Sequence, residues 1–119
     1  MKKQYFLLIS IFFTAIGLLL SNTYRPYIYE NNINDFHFAD TIGNWVAVPA
    51  YVALVLGISR NKPNFNILLF ASILAYILYE VLSILGLWGT FDWYDVLVTI
   101  ISGILTYFGF KKLYDKAVY

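Results

Sequence analysis

From Tyr5 to Leu20 the chain carries no charged residue, and three further long apolar runs follow: Ile42 to Ser59, Phe65 to about Leu85, and the stretch from Val96 to Phe110. Runs of this kind are what a helix needs to cross a bilayer, because about 20 residues rising 1.5 Å each span a hydrocarbon layer about 30 Å thick. No water is available there to pair with the backbone, so such segments must be helices that satisfy their own amides. The expected fold class is all-α: a four-helix transmembrane bundle forming a single membrane domain over residues 1–119, with helices at about 5–23, 41–59, 65–86 and 93–111. Composition agrees, since only 13% of residues are charged, where a soluble domain carries about 25%. A net charge of +1 supplies no field for nucleic acid. The absence of cysteine excludes disulfides, thiolate metal sites and cysteine nucleophiles.

The first run also has the length of a signal-peptide core, but Leu20-Ser21-Asn22-Thr23-Tyr24 holds no small-x-small cleavage signature, so it reads as an uncleaved first helix. Pro26 is expected to end it, and Tyr24 to Asp40 reads as the longest loop, polar and rich in aromatics. Pro49 lies inside the second span, where a kink is expected and a neighbouring helix must satisfy the carbonyl that proline leaves free. Arg60 to Asn64 is a short basic turn, and Gly86 to Phe91 is a tight connection. Asp92 stands where an N-cap belongs, with Asp95 in the first turn of the last helix, favourable against the helix dipole.

Orientation follows from the cations. Lys2, Lys3, Arg60, Lys62, Lys111, Lys112 and Lys116 fall on one side of the four-span arrangement and Arg25 on the other, so both termini are expected in the cytoplasm. The acids mirror them, with Glu30, Asp35, Asp40, Glu80, Asp92 and Asp95 towards the outer side and Asp115 inside. Trp45, Trp88 and Trp93 lie near the outer boundary, as an interfacial aromatic belt requires. Each span also carries a stripe of small or hydroxyl residues, which in lipid mark helix contacts. These are Ser10, Thr14, Gly17 and Ser21 in the first; Gly43, Ala47, Ala50 and Gly57 in the second; Ser72, Tyr76, Glu80 and Ser83 in the third; and Asp95, Thr99, Ser102 and Thr106 in the fourth.

Glu80 lies about 15 residues past Phe65, roughly 22 Å along its helix and in the outer third of the hydrocarbon layer. A carboxylate there costs at least about 2.5 kcal/mol unless protonated, paired or wetted. Either it belongs to a site, or it snorkels to the interface or bonds to Tyr76 as a packing device. The short turn after it brings Asp92 and Asp95 near, and Asp40 and Asn44, one turn apart, can complete a polar cluster. Capping alone also explains Asp92 and Asp40, and an interhelical hydrogen bond explains Asn44. Two neighbouring carboxylates can share a proton or hold a cation, and Asp95 shares its stripe with Thr99. Arg25 is either a solvated loop residue or the counterion of this cluster, and His37, the one histidine, reads as a solvated loop residue. No hydrolase triad, phosphate loop or metal signature occurs, so no cofactor or metal is expected.

Tyr79-Glu80, and Gly89-Thr90-Phe91-Asp92-Trp93-Tyr94-Asp95 leading into the last helix, resemble the VanZ-like family of small bacterial membrane proteins. That family typically shows Asp-Lys and a later His opening one helix, Glu-x-x-Gln ending another, and Arg-x-Phe-Asp-x-x-Asp-x-x-x-Asn entering the last. Asp40, Glu80, Phe91, Asp92 and Asp95 match in type and order, while Thr41, Asn44, Ser83, Gly89 and Thr99 stand where the family has Lys, His, Gln, Arg and Asn. The resemblance covers roughly residues 40 to 110. It implies a multi-pass protein of the bacterial cytoplasmic membrane, associated with the envelope, whose prototype is linked to glycopeptide antibiotic resistance.

The expected function is binding of a small polar or cationic group, such as an envelope lipid headgroup, a cation or a proton, in an outer-facing acidic pocket. Glu80 and Asp95 are the candidate catalytic acids, and Asp40, Asn44, Asp92, Thr99 and Arg25 the candidate ligand-binding residues. The alternative, from another class, is a noncatalytic helper that packs against a larger membrane protein or forms a homodimer through its small-residue seams. A transporter is disfavoured by size, since four helices must dimerise to enclose a pathway.

Overall fold

The computed structural model describes residues 2–35, 38–85 and 93–119. The described residues form five α-helices and no strand: α1 (Tyr5–Asn22), α2 (Tyr24–Glu30), α3 (Ile42–Ile58), α4 (Phe65–Leu82) and α5 (Trp93–Lys116). Single 3₁₀ turns, Ala39–Thr41 and Ser83–Leu85, precede α3 and follow α4. Four stretches are long and apolar enough to cross a membrane: Tyr5–Glu30, Ala39–Ile58, Phe65–Leu82 and Trp93–Lys116. The longest dimension, 47 Å, matches a bilayer with its headgroup layers, about 40–45 Å.

The segment after α1 differs from the loop expected there. Pro26 is the third residue of α2, where its missing amide hydrogen is one that no helix could pair, so the proline starts a helix in place of stopping one. Thr23 marks the break and donates its hydroxyl to the Leu19 carbonyl at 2.6 Å. At the far end Asn32 takes a left-handed φ of 51°. The Ile33 amide reaches the Ile28 carbonyl (3.2 Å) and the Asn32 amide the Tyr29 carbonyl (3.4 Å), which together make a Schellman motif. The last helix also runs past its expected end. Phe110, Leu113, Tyr114 and Ala117 continue its apolar face at helical spacing, so the chain stays helical through Lys111 and Lys112 as far as Lys116.

α3 is the central helix, packed against α1, α4 and α5, while α4 and α5 form an antiparallel pair. Phe6, Val48, Val52, Ala53, Leu56, Phe65, Leu69 and Phe110 build the buried core around it. Outward faces stay apolar, with Leu8, Ile11, Phe12, Ile67, Phe70 and Phe108 all more than half exposed, the reverse of a water-soluble bundle. Close approach is set by small residues: a Cβ at Gly17 would stand 2.7 Å from Val46, and one at Gly103 2.3 Å from the Ile73 tip.

Pro49 leaves α3 unbroken from Ile42 to Ile58. The carbonyl it strands, four residues back at Trp45, accepts a hydrogen bond from the Ser102 hydroxyl of α5 at 2.7 Å. Ser10 of α1 donates to the Ala50 carbonyl at 2.8 Å on another side of the same helix. Other hydroxyls of the stripes turn back onto their own helix: Ser72 onto Leu68, Thr99 onto Asp95, Thr106 onto Ser102.

Candidate functional site

The two ends of the bundle are chemically opposed. Lys3 at the start of α1 donates to the Ser59 carbonyl (2.6 Å), and Lys62, between α3 and α4, to the Ala117 carbonyl beyond α5 (3.2 Å), so the lysine-rich segments meet at one end. Glu30, Asp35, Asp40, Glu80 and Asp95 occupy the other.

At the acidic end, α2 and the 3₁₀ turn Ala39–Thr41 pack together and hold a preorganised polar network. The Asp35 carboxylate accepts from the Ala39 amide (2.8 Å), capping that turn, and from the Tyr24 hydroxyl (3.1 Å). Tyr29 donates its hydroxyl to Asp40, which is exposed. Asp35 thus caps the turn that carries Asp40. Arg25 donates from Nε to the Ala39 carbonyl at 2.9 Å, which brings its guanidinium beside the Asp40 turn. Asn32, Asn34, Asp35 and Asp40, with Ile28, Tyr29 and Ile33, line a cavity of about 390 Å³.

Glu80 lies in the last turn of α4 and Asp95 in the first turn of α5, both partly buried. Their relative height follows from the antiparallel register, which sets Ile73 against Gly103. Glu80 is two helical turns beyond Ile73, on the same face, and Val96 and Asp95 lie two turns before Gly103. The two carboxyl-bearing residues thus sit at about the same level of neighbouring helices. The carbonyl of Glu80 accepts from Ser83, and that of Asp95 from the buried Thr99 at 2.8 Å, which occupies the Thr99 hydroxyl proton. Asn44 is partly buried in the first turn of α3, and the Ala39–Thr41 turn beside it also touches α5. Asp92, His37 and Trp88 lie outside the described residues.

Sequence reasoning missed Asp35, Tyr24 and Tyr29. The available signal was a repeated spacing: Tyr24 and Asp35 are eleven residues apart, as are Tyr29 and Asp40. Among the described residues no three His, Cys, Asp or Glu side chains gather as a metal site.

Two more cavities flank α3. One of about 430 Å³ is lined by the small-residue stripes of α1 and α3 together with Tyr76. The other, about 370 Å³ and mostly apolar, lies between α1 and α5 beside Trp45, whose buried indole nitrogen has no hydrogen-bond partner among the described residues.

Fold and site together define a class: a helical bundle with four membrane-length stretches, one acidic end and one basic end. No protein-family model, curated protein or solved structure matches the chain.

Proposed function

We propose that the chain is a multi-pass protein of the bacterial cytoplasmic membrane, VanZ-like, with both termini inside and its acidic end outside. There it binds a small amine-bearing or otherwise cationic polar group, such as an envelope lipid headgroup, in a role tied to envelope lipid metabolism or antibiotic tolerance. The observation that supports this reading most directly is the common level of Glu80 and Asp95 on the paired ends of α4 and α5. Carboxylates in a partly desolvated setting attract a cation far more than they would in water. Glu80 is the partly buried acid or proton acceptor and Asp95 its partner. Asp40, Asn44, Thr99 and Arg25 complete the surroundings. The Tyr24–Asp35 and Tyr29–Asp40 pairs hold the adjoining wall in place.

The test is a thermal-shift titration of purified protein with an aminosugar-bearing lipid headgroup and with a simple polyamine, alongside glycopeptide tolerance of cells carrying the gene. Glu80→Gln and Asp95→Asn should abolish both the ligand shift and the tolerance while the protein still inserts. Unchanged behaviour in both variants ends the proposal.

A second reading, a noncatalytic helper or homodimer, is favoured by the open groove where Gly43, Ala47 and Ala50 face the stripe of α1. It requires tolerance at Glu80 and loss of a partner on enlarging Gly43.

A further inference from the structure

At the lysine-rich end two ammonium groups are held on one aromatic ring. Lys62 Nζ stands 4.5 Å from the centre of the Tyr114 ring and Lys111 Nζ 5.3 Å from the same centre, with Lys111 also 5.9 Å from Phe65. The platform beneath them is fixed from several directions. Tyr114 stacks on the buried Phe65 ring at 5.2 Å and donates its hydroxyl to the Pro63 carbonyl, while Lys62 is tied to the Ala117 carbonyl at 3.2 Å. Ring support and one backbone bond leave donors on both ammoniums unspent, since each lysine carries three. Among the described residues the acidic side chain at this end is Asp115, which meets Lys111 at 3.4 Å as an exposed i,i+4 pair, and such a pair holds its lysine weakly.

The surroundings of this pair decide what it fits. Three residues before Lys111, Phe108 is 72% exposed, and five residues after Lys62, Ile67 is 68% exposed. Cations therefore stand where outward apolar walls end, which is the arrangement of a phospholipid itself: charge at the rim, hydrocarbon alongside. Basic clusters at such a boundary attract anionic headgroups.

We propose that Lys62 and Lys111, displayed on the Tyr114 ring, form a docking surface for the phosphate of an anionic phospholipid, and that Asp115 restrains it by competing for Lys111. The ligand is a lipid and not free phosphate, because the exposed Phe108 and Ile67 give affinity only to a molecule with acyl chains. This inference is independent of the acidic end.

Purified full-length protein in nanodiscs of neutral phosphatidylcholine, and in discs enriched stepwise in phosphatidylglycerol, provides the test, with unfolding temperature and native mass spectrometry of retained lipid as readouts. Phosphatidylglycerol should raise the unfolding temperature. The shift should fall to about half or less in Lys62→Gln/Lys111→Gln, as expected when a ligand loses affinity for the folded state. In Asp115→Asn the shift should grow, a gain that general damage to the fold cannot produce. Salt should weaken the effect by screening. Equal unfolding temperatures in neutral and anionic discs, an unchanged shift and lipid retention in the double variant, or reproduction of the shift by inorganic phosphate would each overturn the proposal.

Discussion

The Ser102 hydroxyl donates to the Trp45 carbonyl across 2.7 Å, from α5 to the one turn of α3 that Pro49 deprives of its internal hydrogen bond. A proline within a membrane-length helix is thereby tolerated without leaving the carbonyl oxygen it strands bare. Removing the serine hydroxyl should cost about 0.5–2 kcal/mol, the range seen for interhelical bonds in membranes. In a Pro49→Ala background the backbone amide returns and the same serine deletion should cost less. A double-mutant cycle on unfolding in detergent measures that coupling, and additive effects would contradict the assignment.

Gly103 and Gly43 should respond oppositely to enlargement. A Cβ at Gly103 would meet Ile73 at 2.3 Å, so Gly103→Ala should destabilise the α4–α5 pair by about 1–3 kcal/mol, as overpacking does. At Gly43 nothing lies within 4 Å of an added Cβ. Gly43→Ala should therefore leave monomer stability unchanged or slightly raised, and any loss of a co-purifying partner or of a dimer band in that variant would report an external contact.

Asn32 ends α2 in a left-handed conformation that β-branched residues avoid. Asn32→Val should cost about 1–2 kcal/mol, whereas Asn32→Gly should be neutral or slightly stabilising. Amide exchange at Asn32 and Ile33, whose bonds to Tyr29 and Ile28 close the motif, reads the change locally.

Asp35 caps the turn that begins at Ala39 and also receives Tyr24. Asp35→Ala should destabilise that turn by about 1 kcal/mol and speed exchange at Ala39. Tyr29→Phe, which loses one hydroxyl bond to the exposed Asp40, should be milder. Equal effects of the two would place the organising contact elsewhere.

Burial pushes the Tyr119 phenol above its usual value, and Tyr114 adds to the shift. The neutral hydroxyl is the form that donates to the Leu56 carbonyl at 2.6 Å. A group with a raised folded-state pKa stabilises fully below its unfolded value, about 10 for tyrosine, and loses that contribution as pH rises through the folded value. Unfolding temperature followed upward from about pH 9 should thus fall less steeply in Tyr119→Phe than in the natural protein.

The sequence by itself determined the four long apolar stretches, because a hydrocarbon layer admits only helices of that length and an uncharged run is visible without coordinates. It also showed the separation of lysines from acids, and the need for Pro49 to borrow a donor from a neighbour. Only the tertiary structure decided which donor. Ser102 and Thr106 share one stripe, yet Ser102 crosses to α3 while Thr106 bonds back to Ser102, because helix spacing is set by packing between residues distant in sequence. The helix begun near Pro26 was hidden for a related reason: a proline ends one helix or fits the first turn of the next according to what surrounds it. The wall of the candidate site, built by Asp35, Tyr24 and Tyr29, left no more than that repeated eleven-residue spacing in the sequence, since aspartate and tyrosine in a polar stretch acquire partners only when the chain folds back on itself.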